Sequence, residues 1–205
     1  MSLTNLPRRL MMASLLLVLT ASPAVASPQG DPRDMVSDAY KEIAETAKSA
    51  TDQEQLVNDL TRQMDERMDY QAFSARTLKG KWTKLGATQK QKFIKHFKKL
   101  VLRTYAKRFK PGSTFDVTYR EETAWLSDER DLGEVRTTVS SKKAGADVDY
   151  LTAWNKKSKS WRIHDITVDE VSMSRNWRRQ FVRVINDEGF DALIKRIRAK
   201  TEARK

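Results

Sequence analysis

Cysteine is absent from this chain, which excludes a disulfide scaffold and a lipidated N-terminal cysteine and leaves stability to the hydrophobic core. Histidine is scarce as well. His96 and His164 are the only two, and neither has a carboxylate or a second histidine at ligand spacing, so no metal centre is expected and no cofactor is implied. Glycine-rich phosphate loops, a nucleophile elbow and a His-Glu-x-x-His run are all missing, and with them the common catalytic signatures. Long apolar runs are also missing, because the longest, residues 10–19, is about half of the roughly 20 residues a spanning helix needs.

That short run has a role of its own. Arg8 and Arg9 precede it and Ala24-Val25-Ala26 follows it, the layout of a cleavable export signal cut after Ala26. Residues 1–26 therefore read as a signal peptide, by the general or the twin-arginine route, and residues 27–205 as one exported domain with a sizeable core. The domain carries a net charge of +10, unevenly spread. Residues 79–110 hold twelve Lys or Arg and no Asp or Glu, so the rest sums to −2.

Helical periodicity comes first along the chain. Asp31-Pro32 opens a helix with Val36, Tyr40, Ile43 and Ala47 on one face, and Thr51 with Glu54 forms a capping box for a second carrying Leu56, Val57, Leu60 and Met64. Tyr70, Phe73 and Leu78 mark a short third helix. Thr88 with Gln91 then opens a long one bearing Phe93, Phe97, Leu100, Val101 and Tyr105, and Pro111-Gly112 closes it. The period next drops to two, in Phe115-Val117-Tyr119, Val135-Thr137-Val139, Val148-Tyr150-Thr152-Trp154 and Trp161-Ile163, joined by short turn-rich connectors. These are the strands of an antiparallel meander. Helical spacing returns in Met173, Trp177, Phe181 and Val184, then in Phe190, Leu193, Ile194 and Ile197. Helices, meander and helices again predict an α+β domain, a curved antiparallel sheet covered by helices in the manner of the nuclear-transport-factor-like cone. That architecture hosts enzymes and binders alike.

An acid–base enzyme in such a cone needs a carboxylate in its apolar mouth, for which Asp149 and Asp165 are the candidates. Asp149 alternates with Val148 and Tyr150, so it is expected on the opposite face. The basic segment is interleaved with a core face rather than with exposed stacking aromatics, which argues against nucleic acid. It is either a solvated amphipathic face or a docking surface for an anionic bilayer or acidic partner, with Lys92, Lys95 and Lys99 as its docking residues.

Several strings occur in a fixed order along the chain: Asp69-Tyr70, Leu78-Lys79-Gly80 with Trp82, Arg103-Thr104-Tyr105-Ala106, Val148-Asp149-Tyr150-Leu151, Trp161-Arg162-Ile163-His164-Asp165-Ile166, Val171-Ser172-Met173, Asn176-Trp177-Arg178-Arg179-Gln180-Phe181 and Gly189-Phe190-Asp191-Ala192-Leu193-Ile194. In this the chain resembles the MlaC, or toluene-tolerance, family of periplasmic phospholipid-binding proteins. Glu170 stands where that family usually has glycine, Trp177 where it often has tyrosine and His164 where it often has an aromatic. The resemblance implies a non-enzymatic, monomeric periplasmic carrier that holds a phospholipid by its acyl chains between sheet and helices and maintains outer-membrane lipid asymmetry. It also implies partners: an inner-membrane ABC-transporter complex with an MlaD-like component, an outer-membrane MlaA-like lipoprotein with its porin, and transient contact with the membrane surface. A hopanoid-linked branch shares the pattern, so a hopanoid or other lipid is the alternative cargo. The expected lining is Phe97, Val101, Tyr105, Val117, Tyr119, Val148, Tyr150, Ile163, Val171 and Trp177, with the head group outside.

Overall fold

The computed structural model describes residues 30–106, 109–142 and 144–202, so the expected signal peptide lies outside the described residues. Helix α1 (Pro32–Ser49) starts where the sequence places it, with the Asp31 carboxylate accepting from Arg33 N at 2.8 Å and proline in the first turn. Helix α2 (Gln53–Arg67) is capped by Asp52 and not by Thr51, because the carboxylate takes the Gln55 N–H at 2.8 Å while Thr51 Oγ1 donates to the Gln55 side chain. Asp69 caps α3 (Tyr70–Leu78) by accepting from Ala72 N. A 3-10 turn (Lys79–Lys84) leads into α4 (Ala87–Tyr105). There the cap is Gly86, whose N–H donates to Gln89 Oε1 at 3.1 Å, in place of the expected Thr88 and Gln91 pair.

Six strands follow: β1 (Asp116–Tyr119), β2 (Ala124–Trp125), β3 (Leu132–Ser140), β4 (Gly145–Asn155), β5 (Ser160–Val168) and β6 (Val171–Ser172). All their pairings are antiparallel, in the order β1-β3-β4-β5-β6, and β2 also pairs with β3. Since β4 occupies one edge of β3 along its length, β1 and β2 share the other, as one strand interrupted at residues 120–123. The sheet is curved and does not close. Val168 pairs with Val171 across the two-residue turn Asp169-Glu170, whose φ angles of 45° and 65° are those such hairpins require. Glycine occupies this backbone region without strain, so Glu170 holds a conformation that a residue with a side chain rarely adopts.

Ser172 then caps α5 (Met173–Glu188), and Gly189, at φ 88°, turns the chain into α6 (Phe190–Glu202). The main core gathers Phe73, Phe93, Phe97, Trp177 and Phe181 with Leu193, Ile194, Ile197 and Ile163, knitting α3 to α6 onto β5. A smaller core of Ala47, Leu56, Leu60 and Ala106 joins α1 and α2 to the end of α4. The two clusters are separate, and it is the main one that rests on the sheet.

Candidate functional site

Residues directly paired across strands share a face, and the register sets Val117 opposite Val139, Tyr119 and Val148 opposite Thr137, and Tyr150 opposite Val135 and Ile166. One face of the sheet is thus a nearly unbroken apolar row. It looks toward the helices, because Tyr40 of α1 reaches down to Tyr150 (Oη to Oη 2.6 Å) and Thr137 (3.2 Å). Thr137 Oγ1 donates in turn to Val148 O at 2.7 Å. Burial pushes the Tyr150 hydroxyl well above the usual phenol range and raises that of Tyr40, so both stay neutral and the chain of hydroxyls is satisfied without a charge. Val117, Tyr119, Val148, Ile166 and Val168 nevertheless remain only partly buried, whereas the residues of the main core are sealed. An apolar row left partly uncovered beside the main core is the first notable surface of the molecule.

The carboxylates weighed as catalysts have other tasks. Asp149 faces away from the helices and pairs with Arg120, which also meets Asp147 at 3.2 Å. Asp165 is buried, but it accepts from Ser172 Oγ (2.7 Å), Ser174 Oγ (2.6 Å), Ser174 N (3.1 Å) and Ile166 N (2.9 Å), tying β5 to the start of α5. Among the described residues no three His, Asp or Glu side chains gather as metal ligands. His164 is the extra residue of a bulge in β5, between Ile163, paired with Thr152, and Asp165, paired with Leu151. The bulge receives the start of α3: Asp69 N donates to Ile163 O at 2.9 Å and the Asp69 carboxylate lies 3.6 Å from His164 Nε2. That side-chain contact is the main influence holding the Asp69 carboxyl below its ordinary range.

A second concave feature lies elsewhere, at the end of the sheet where β4 turns into β5. It is a cleft of about 410 Å³ bounded by Met35 of α1, Glu66 and Arg67 of α2, and Trp154, Lys159, Ser160, Trp161 and Arg162 of the hairpin. No helix among the described residues is long and apolar enough to cross a membrane.

Residues 33–199 match the family described as "MlaC protein". The chain belongs to the MlaC family. It is similar to the intermembrane phospholipid transport system binding protein MlaC of Haemophilus influenzae, at 26% identity over 115 residues, which is 53% of this chain and about half the length of that relative. Its fold matches that of a phospholipid-binding protein from Ralstonia solanacearum solved in complex with a phospholipid, with a TM-score of 0.74 at 20% identity, covering 85% of this chain and 98% of the other.

In this MlaC-family chain the residues singled out from sequence fall into three groups. Val117, Tyr119, Val148 and Tyr150 lie together on the inner sheet face, with Tyr105 at the margin of the main core. Phe97, Val101, Ile163 and Trp177 are sealed in that core, where Phe97 meets Trp177 edge to face at 6.1 Å. Val171 stands apart, 52% exposed on β6. Tyr40, which joins α1 to the row, was counted from sequence only as one apolar position of its helix. The cleft residues went unnoticed because they come from three distant stretches with no common spacing.

Lys92, Lys95 and Lys99 are exposed on α4, and Lys92 pairs with Asp191 of α6 at 2.9 Å. His96 sits among them. Burial lowers its pKa first, and Arg198 of α6 with Lys95, Lys99 and Lys92 lowers it further, so basic groups of two helices share one face.

Proposed function

We propose that this protein is a periplasmic carrier, exported by a cleaved signal peptide, which binds a phospholipid by its acyl chains and shuttles it between outer- and inner-membrane complexes. The observation that carries the reading is the apolar row Val117, Tyr119, Val148 and Tyr150, left partly uncovered where it runs out from the sealed main core. A diacyl lipid moved through water exposes on the order of 30 methylenes at about 0.8 kcal/mol each, so unaided transfer is very slow and a carrier must supply an apolar surface in exchange. Family membership and the names of its relatives support a role in phospholipid binding and transport; maintenance of outer-membrane lipid asymmetry through MlaD-like and MlaA-like partners is proposed with it. Quantitative lipid mass spectrometry on natively purified protein is expected to find about one phospholipid per chain. Protein that is lipid-free, and stays so after incubation with phospholipid vesicles, overturns the reading; a hopanoid in its place redirects it to the other branch.

The α4 face is proposed as the docking surface for an acidic membrane complex. Changing Lys92, Lys95 and Lys99 together to Glu reverses three exposed charges, and steering of this kind fades with salt over a Debye length of about 8 Å at physiological ionic strength. Lipid delivery by the triple variant is expected to slow about tenfold or more at low salt and to converge on the wild-type rate at high salt, with the melting curve little changed. Equal rates at low salt identify these lysines as a solvated face.

A further inference from the structure

We infer that the cleft beside the β4–β5 hairpin binds an anionic lipid head group through Arg162 and Lys159, with the acyl chains running inward past Met35. This rests on the carrier reading and adds to it a site for the polar end of the cargo. Residues 155–162 contain Lys156, Lys157, Lys159 and Arg162 and no acid, which gives the hairpin a strong local positive field. Among the described residues, Lys159 and Arg162 have no ion-pair partner. Arg67, also in the cleft wall, is already held by Glu42 at 2.7 Å and Gln63 O at 3.0 Å. Among the described residues Glu66 is the one carboxylate bordering the cleft; its side chain is 67% exposed and lies 3.9 Å from Arg67. Two uncommitted cations therefore face a concave space.

The rest of the wall suits an amphiphile better than a free ion. Trp161 meets Trp154 edge to face (5.7 Å) and Trp125 at a tilt (5.9 Å), and Leu126, half exposed, lies at the same end of the sheet. Tryptophan beside basic side chains is the composition that bilayer interfaces select, one end apolar and the other wet. The Trp161 indole N–H is spent on Gly30 O at 3.3 Å, whereas Trp154 Nε1 has no hydrogen-bond partner among the described residues. Met35 packs on the main core, as does Met64 nearby on α2, and unbranched thioether chains yield to an incoming acyl chain more readily than branched ones. The cleft volume of about 410 Å³ lies within the range of small-ligand sites.

The test follows the Trp154 indole resonance of delipidated, nitrogen-15-labelled protein. Dihexanoyl phosphatidylglycerol below its micellar concentration is expected to shift this resonance saturably, at least tenfold more tightly than inorganic phosphate or dihexanoyl phosphatidylcholine. Lys159→Glu with Arg162→Glu is expected to weaken the phosphatidylglycerol response at least tenfold, while Lys159→Arg with Arg162→Lys retains most of it. Inorganic phosphate binding as tightly as the lipid makes the site one for the free anion and overturns the inference, as does a charge reversal without effect. Lipid-induced shifts confined to the inner sheet face, with Trp154 unmoved, also overturn it while leaving the carrier reading intact. The absence of any shift in the wild-type protein counts against both.

Discussion

Replacing Val148 by tryptophan is expected to leave the protein folded and almost empty of lipid, with bound phospholipid per chain falling at least tenfold. Val148 lies mid-row on the inner face, between Thr137 and Val168, and is only partly buried. In a sealed core an indole at this point overpacks, at about 1–3 kcal/mol, which for a domain of this size lowers the melting temperature by about 2–4 °C for each kcal/mol. Where the space belongs to acyl chains, the ring fills it instead. The lipid-free variant then melts within about 2 °C of lipid-free wild type. Lipid quantification beside melting curves of both delipidated proteins separates the two cases. A lowered melting temperature with lipid content unchanged identifies Val148 as ordinary core.

The largest loss of stability is expected at Asp165. Its carboxylate accepts four hydrogen bonds at a buried site, with Arg76 Nε 3.7 Å away, so alanine strands two serine hydroxyls and two backbone N–H groups together. An unpaired buried donor costs about 1–3 kcal/mol, and removing one side of such a charged network about 3–5 kcal/mol. Asp165→Ala is accordingly expected to lower the melting temperature by about 10 °C. Asp165→Asn keeps one acceptor oxygen and is expected to lose about half as much. Urea unfolding of the three proteins measures the differences; an alanine variant as stable as wild type removes the structural role given to this carboxylate.

The two variants also mark what the sequence made legible. Val148 was chosen from period-two alternation alone, and the register sets it on the face where that alternation predicted, because a residue in a long central strand has its face fixed by eight or more neighbours in series. Val171 comes instead from the string Val171-Ser172-Met173 that carries the family resemblance, and it falls in a strand of two residues with no series to fix its face. There Ser172 turns inward to Asp165 and the valine is left outside. Helix existence was likewise readable, since every amphipathic run but that of the short α3 is long. Its first residue was less so, because Asp52 competes with Thr51 for the same N–H, and a carboxylate in the field of a helix N-terminus prevails. The inward tyrosine pair needed α1 laid across the sheet, a relation between residues 40 and 150 that no local pattern encodes. The cleft needed more still, since it draws on α1, α2 and one hairpin at once.

The interrupted strand has a consequence for life in a crowded compartment. A sheet that does not close ends in rows of unpaired amides, the template on which other chains add as further strands. Here one outer border consists of four residues, a kink carrying Arg120 and two residues more, and the other of Val171 and Ser172 followed by the stretch of β5 that the His164 bulge and the bridge from Met68 to Ile163 interrupt. Neither offers a straight run of the five or six residues from which a typical strand is built. The sheet can thus stay open while giving a second copy of itself nothing long enough to grip, which keeps a fold with a partly uncovered apolar face from polymerising along its own borders.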